Sequence, residues 1–345
     1  MLERRLHFHH KFNPFFAHAD AAFWIIQRNG RTVGRISAQI DHLHLQRYGD
    51  ATGHVGFIEA IDDPQVFSRL LGAAEDWLRS KGMRRALGPV SFAMWDQPGL
   101  LVEGFDQPPS VLMGHARPYY AEHFIDNDYR PVQDLLAYDY TPDIKVLAKV
   151  KRVLAWADRD GSIALRHMRM GLKHFRAEVA LMLDILNDGW SANWGFVPWT
   201  EAEGDDMALK LRLIIKSRDV VFAEHKGQPS AFAMILPNLN EAARDLNGRL
   251  FPFGWAKLLW RLKVRGTRTK RLAIVGVRKS LQNSPEGAAL AFSVIRAAWE
   301  HCVVECRATK GEASWVLDSN ERMKQMIERT GARLYKRYRI YEKPL

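Results

Sequence analysis

Apolar side chains recur along this chain with two periods, two and about three and a half, and the switches between them delimit its elements. The alternating period predicts strands over 23–27, 32–40 and 54–60. A helical stripe of Val66, Leu70, Ala73, Ala74 and Trp77 then predicts a helix over 64–80. Asp63 caps it, Pro64 opens it and Gly82 stops it. A strand over 86–90, a Gly- and Pro-rich loop over 95–109, a helix over 118–126 and a strand over 135–140 complete the first half.

A connecting helix over 143–158 ends at Asp160-Gly161, and a similar order of elements follows. A strand over 162–167 and a helix over 172–187 precede strands over 220–224 and 231–235, which flank the turn Lys226-Gly227-Gln228. After an insertion come a strand over 271–277 and a helix over 287–301. The end of the chain is the sharpest segment. Ala313, Trp315 and Leu317 alternate as a strand, and Asn320 stands as N-cap ahead of Met323, Met326 and Ile327. Gly331 stops that helix before an aromatic-rich strand over 334–341. Strand–strand–strand–helix–strand–helix–strand thus occurs twice, without side-chain identity between the halves. Two domains of one element order, or a single large α/β domain, would give this pattern.

Length and composition fit a folded chain of two domains. It has 345 residues, 47% of them hydrophobic, and 11 tryptophans. No apolar run is read as approaching the roughly 18 residues of a membrane span, and the start lacks a signal peptide's apolar segment. The expectation is a protein on the cytoplasmic side, with peripheral contact to the inner membrane as a further reading. The two cysteines, Cys302 and Cys306, have only His301 beside them, too few ligands for zinc. The histidines His7, His9, His10, His42, His44 and His54 lack a completing carboxylate pattern, so they read as exposed strand residues and no metal is expected.

The net charge of +11 is local. No acidic residue occurs from Leu246 to Pro285, a window that holds Arg249, Lys257, Arg261, Lys263, Arg265, Arg268, Lys270, Arg271, Arg278 and Lys279. Within the insertion, 237–270, Trp255, Leu258, Leu259 and Leu262 share one helical face, while Lys257, Arg261 and Arg265 share another. Either the apolar face packs on the domain and the charges meet water, or the segment is a membrane-surface contact made by Trp255, Lys257, Arg261, Lys263 and Arg265.

The closing strand, Asn-capped helix, Gly stop and last strand resemble the end of the GNAT fold, the acyl-CoA N-acyltransferase superfamily. Further blocks resemble a bacterial double-GNAT family that includes bacterial ceramide synthases. They are Asn13-Pro14-Phe15-Phe16, Val33-Gly34-Arg35-Ile36, Gly56-Phe57-Ile58-Glu59, Pro118-Tyr119-Tyr120 and Asn247-Gly248-Arg249-Leu250-Phe251-Pro252. The likeness covers nearly the whole chain and departs at His115 and Asp128-Tyr129, where the family has Asn and Gly-Phe. It implies an α/β fold of mixed sheets in two tandem GNAT-like domains, the N-terminal one degenerate. The domains would span 1–141 and 162–345, joined by the helix over 142–161.

The resemblance also implies acyl-CoA as cosubstrate, its pyrophosphate held on backbone N–H groups at a helix start. The matching stretch is Ser284-Pro-Glu-Gly287-Ala-Ala289, with Ser284 in place of the family's Gln or Arg. Val275, Val277, Arg278, Lys279 and Asn320 complete the implied cofactor contacts. The first half has Asp62-Asp63 at the equivalent place, which would repel a pyrophosphate. The family's acid, a tyrosine seven residues after the capping Asn, is replaced by Ile327. Tyr335, Tyr338 and Tyr341 lie on the next strand, and Glu312 or Asp318 would act as base through water, against a plainer reading as strand-end and cap residues. The implied reaction is acylation of an amine, with a sphinganine-like long-chain base as acceptor. A Fem-type aminoacyltransferase that binds tRNA, and a non-catalytic acyl-CoA- or lipid-binding protein, are the alternatives.

Overall fold

The computed structural model describes residues 7–141, 148–304 and 306–345. Contacts divide the chain into two units. Unit 1 comprises Met1–Leu136, Leu317–Ser319 and Tyr335–Leu345; unit 2 comprises Ala137–Val316 and Asn320–Leu334.

Unit 1 begins with strands β1 (Ala19–Arg28) and β2 (Arg31–Asp41), a short helix α1 (His42–Tyr48) and β3 (Thr52–Ala60). These strands pair antiparallel. Helix α2 (Pro64–Ser80) crosses over to β4 (Arg85–Gly88), which runs parallel to β3. Its cap is the expected one, with Asp63 accepting from the backbone of Gln65 and Val66. The stripe Val66, Phe67, Leu70, Leu71, Ala74 and Leu78 is buried against Ile36, Ala38 and Val55 of the sheet. Each such large side chain contributes roughly 1.5–3 kcal/mol. Short strands β5 (Val90–Ser91), β6 (Gln97–Pro98) and β7 (Leu100–Glu103) follow, so the expected loop over 95–109 contains strand. Helix α3 (Tyr120–Asp126) leads into β8 (Arg130–Tyr140).

Beyond His54 and Leu87 the ladder between β3 and β4 stops, and the gap is filled. A β-carbon on Gly56 would lie 2.1 Å from the Val90 carbonyl oxygen, so only glycine permits this approach. The N–H of Phe57 donates to Ser91 Oγ at 3.1 Å. The Phe57 ring packs on Phe92 at 4.7 Å and on Phe8 at 4.9 Å.

The histidine expectation needs correction. His42 and His44 lie on α1 rather than a strand, and His44 and His54 are buried. Burial pushes the His54 imidazole down to about 3. No group of metal ligands occurs among the described residues.

Unit 2 opens with α4 (Ala148–Asp160); residues 143–147 of the expected connecting helix lie outside the described residues. Strand β9 (Ile163–His167) is followed by α5 (Leu172–Gly189) and α6 (Glu201–Ile214), the latter unforeseen although Thr200 and Glu203 form a capping box. Strands β10 (Val220–His225) and β11 (Gln228–Pro237) precede α7 (Leu239–Ala243) and α8 (Gly254–Trp260). Then come β12 (Thr269–Val277), α9 (Pro285–Val304), β13 (Lys310–Leu317) and α10 (Glu321–Glu328). The unit's strand order is β9-β10-β11-β12-β13, antiparallel up to β12 and parallel between β12 and β13. Small residues Ala223, Ala231 and Ala233 let α9 sit close on the sheet through Leu290, Val294 and Ala298. At 20 residues α9 is also long and apolar enough by mean composition to cross a membrane, although Glu286, Arg296 and Glu300 interrupt its apolar run. Half of its most apolar stretch is buried, as a core helix requires.

Asn320 caps α10 as expected, accepting from Met323 N at 3.1 Å. The last strand, β14 (Arg333–Pro344), was expected in the second domain. From Tyr335 on it belongs to unit 1, where Tyr341–Pro344 pair antiparallel with β4 and β7 pairs with Arg337–Arg339.

Candidate active site

Strands β12 and β13 begin side by side and then part. Their parallel ladder joins Thr269–Leu272 to Lys310–Ala313 and ends, although both strands continue. At the same level β12 carries a bulge against β11: Ile274 pairs with Met234 and Leu272 with Ile235, leaving Ala273 unpaired between them. A splayed pair of strands beside a bulge leaves backbone donors and acceptors without ladder partners. In unit 1 the corresponding gap is filled as described above.

A carboxylate sits at the apex of this splay. Glu312 is only 2% exposed. It accepts from Ser314 Oγ at 2.5 Å, a contact that fixes both side chains on one face of β13. Arg271, paired opposite Glu312, donates to Ser314 Oγ at 3.0 Å through Nε and to the Ser314 carbonyl at 3.1 Å through Nη2. Arg271, one of the cations of the acid-free window, is only 3% exposed. Sequence reasoning missed the pairing because it depends on the register of strands 43 positions apart.

Through Gly311, Glu312 and Ala313, β13 borders an apolar pocket between α9 and α10, whose empty space, open solvent included, is about 500 Å3. Its walls include Leu272, Phe292, Ile295, Trp299, Met326 and Ile327. Ile327 therefore has a packing role that a tyrosine's hydroxyl would disturb.

The remaining catalytic candidates lie elsewhere. Asp318 and Tyr335 both belong to unit 1, where the N–H of Asp318 donates to the Asp134 carbonyl at 2.9 Å and the Lys336 ammonium lies 4.7 Å from the Tyr335 ring centre.

The expected pyrophosphate loop follows β12. A β-carbon on Gly287 would lie 2.0 Å from the Leu281 carbonyl oxygen, so this glycine lets the loop fold against the start of α9. Gly287 N donates to Ser284 Oγ at 3.0 Å, and Ala289 is fully buried. Val275 and Val277 are half-buried on β12. Three cations gather here. Arg278 is paired with Asp184, Lys279 N donates to Asp188 at 2.8 Å, and Arg322 donates to the Gln282 carbonyl at 2.5 Å.

The insertion is less basic at its surface than its sequence suggests. Lys257 and Arg261 both bond Asp245, which lies just outside the acid-free window, and this pairing, Arg261 foremost, lowers the Asp245 pKa. Lys263 reaches the Ile215 carbonyl at 2.5 Å, and burial lowers its pKa. Lys270 and Arg271 are buried, so in the insertion from residue 246 on Arg249, Arg265 and Arg268 are the exposed cations whose side chains have no carboxylate partner among the described residues. Apolar exposure is the larger feature. Phe251 is 84% exposed, and Phe253, Trp255, Trp260 and Val264 are also exposed; of the predicted apolar face only Leu262 is buried.

No protein-family profile matches the chain. Protein YghO of Escherichia coli strain K12 is 43% identical over 345 residues, 100% of this chain and 87% of that protein. The bacterial ceramide synthase of Caulobacter vibrioides is 45% identical over 340 residues, 97% of this chain and 86% of that protein. Among solved structures, a tandem GNAT protein from the clavulanic acid biosynthesis pathway superposes with a TM-score of 0.55 over 95% of this chain and 83% of that one. At 10% identity, that is a likeness of fold. The fold and the two relatives agree, and the chain belongs to the bacterial tandem-GNAT acyltransferase family that holds this ceramide synthase and YghO.

Proposed function

We propose that the protein is an N-acyltransferase that moves an acyl group from acyl-coenzyme A to the amine of a long-chain lipid base. The observation that carries this reading is the splay of β12 and β13, with the bulged Ala273 on one strand and the buried Glu312 on the other. The relative named as a ceramide synthase supports the lipid acceptor.

The loop residues fit an anionic diphosphate. Gly287 and Ala289 bring the start of α9 close to the end of β12, and Arg278, Lys279 and Arg322 supply positive charge. Ser284, Asn320 and the edge of β12 at Val275 and Val277 complete the contacts. Acyl-coenzyme A, when bound, supplies the acyl carbon as an activated thioester. The Ala273 N–H, released from the β11 ladder, donates to the carbonyl oxygen as charge builds there. Glu312 accepts the proton that the neutral amine loses as its nitrogen bonds the acyl carbon; the C–S bond then breaks, and the departing coenzyme A thiolate takes its proton from solvent. Ser314 and Arg271 hold that carboxylate in place.

Unit 1 takes no coenzyme in this reading. Asp63 engages the first N–H groups of α2, and the Phe57 bulge donates to Ser91.

Incubation with long-chain acyl-coenzyme A and sphinganine should yield the amide and free thiol by mass spectrometry. Absence of both across acyl lengths would refute transfer. The same proposal sets the exposed Phe251, Phe253 and Trp255 against a lipid surface, each buried aromatic contributing roughly 1.5–3 kcal/mol. Serine at Phe251 and Phe253 should abolish sedimentation with vesicles, and unchanged sedimentation would sink the membrane contact.

A further inference from the structure

We infer that the cavity between α9 and α10 seats the aliphatic tail of the acyl donor, with Trp299 against Tyr140 as the wall that limits its length. The inference rests on the acyl transfer proposed above.

Four observations carry it. First, the cavity walls are apolar, and a hydrocarbon chain is the ligand that loses least by entering them. Second, the cavity begins where the ladder between the strands ends, since Leu272 and Ala313, the last pair, both line it. Glu312 itself also borders the cavity, and its partner Ser314 shares its face of the strand, opposite the side chain of Ala313. A donor passing through the splay would thus place its tail in the cavity and its carbonyl carbon beside the carboxylate. Third, α9 presents Phe292, Ile295 and Trp299 to the cavity. At about 1.5 Å per residue, its walls extend roughly 10 Å along the helix, away from the loop at Gly287. Fourth, the far end is built rather than left open. Trp299 meets Tyr140 edge-on, with ring centres 4.6 Å apart at 89°. Gly311 leaves the room the Trp299 ring occupies, since a β-carbon there would lie 2.4 Å from it.

The test is displacement of the fluorescent fatty acid cis-parinaric acid by acyl-coenzyme A of graded chain length, from the wild type and from Trp299→Phe and Trp299→Ala. In the wild type each added methylene should tighten binding about fourfold, up to a limiting length. Both variants should move that limit to longer chains, Ala more than Phe. The first chain the wild type rejects should gain roughly tenfold in affinity. The milder Trp299→Phe keeps the test decisive if Trp299→Ala fails to fold. An unchanged limit in Trp299→Phe, or no binding of parinaric acid to the wild type, overturns the inference. Displacement by long-chain amines but not by acyl-coenzyme A overturns it as well, since the tail would then be the acceptor's. A limit that shifts in the variants, with no amide formed by mass spectrometry, upholds the tail site while refuting the transfer.

Discussion

Replacing Gly287 with alanine probes the loop on which donor binding depends. The added β-carbon would lie 2.0 Å from the Leu281 carbonyl oxygen and 2.7 Å from its carbon. Both are main-chain atoms, so no side-chain rotation relieves the clash. To reach the 3.4 Å at which ordinary contact begins, the loop or the first turn of α9 must shift by about 1.4 Å. The shift would break contacts that shape the loop: Gly287 N to Ser284 Oγ at 3.0 Å, Gln282 Nε2 to the Val277 carbonyl at 3.0 Å, and Arg322 to the Gln282 carbonyl at 2.5 Å. Hydrogen bonds to charged groups contribute about 1.5–3 kcal/mol each. Loss of one or two to the diphosphate therefore weakens coenzyme A by about 2–4 kcal/mol, roughly 30- to 1,000-fold. Calorimetric titration of coenzyme A measures this directly, with circular dichroism confirming that α9 remains helical. Because Glu312 lies at the other end of the splay, kcat at saturating donor should change far less than KM. An affinity within about threefold of the wild type, in a folded variant, would refute the role assigned to the loop.

Three other outcomes are expected. Glu312→Gln keeps shape but cannot take a proton, so kcat should fall about 10²- to 10⁴-fold with donor affinity retained; a kcat close to wild type would exclude Glu312 as the base. His54 is 3% exposed among His44, Asp41, Asp50 and Arg85, and its folded pKa is about 3 against 6.5 as the ordinary value. Below pH 6.5 the unfolded chain binds a proton that the folded one refuses. Stability should therefore fall by about 1.36 kcal/mol per pH unit, reaching about 2 kcal/mol at pH 5. His54→Leu should flatten that slope in hydrogen exchange at β3 amides, and parallel slopes for the two proteins would contradict it. Thr200→Ala removes the capping box of α6, in which Thr200 Oγ1 accepts from Glu203 N at 3.3 Å, and should cost about 1 kcal/mol, read as faster amide exchange confined to that helix. Uniform exchange across unit 2 would argue against a local cap.

What the sequence revealed and what it hid follow from the range of the interactions. Asp63 and Asn320 were legible because a cap acts on donors two or three residues away. Helix α6 escaped notice for the opposite reason: its buried stripe of Gly204, Ala208 and Leu211 is mostly small while Leu209 and Leu213 are exposed, so the apolar pattern is blurred, although Thr200-x-x-Glu203 marked its start. Glu312 could be named from its strand, but its partners Arg271 and Ser314, and the unpaired Ala273, are set by register between strands. The basic window misled through its boundary. Counting from Leu246 excluded Asp245, the carboxylate that Lys257 and Arg261 reach by folding back.

The return of β14 to unit 1 sets a timetable for synthesis. Gly88 and Tyr341 are ladder partners some 250 residues apart in the chain. At about 5–20 residues per second, a ribosome finishes the partner of β4 roughly 10–50 s after β4 itself. Throughout that interval β4 has one edge unpaired, a surface on which nascent chains associate wrongly. Unit 1, first to leave the ribosome, is thus the last to be finished. A chain that stops short of Tyr341 leaves β4 without the strand that pairs with it.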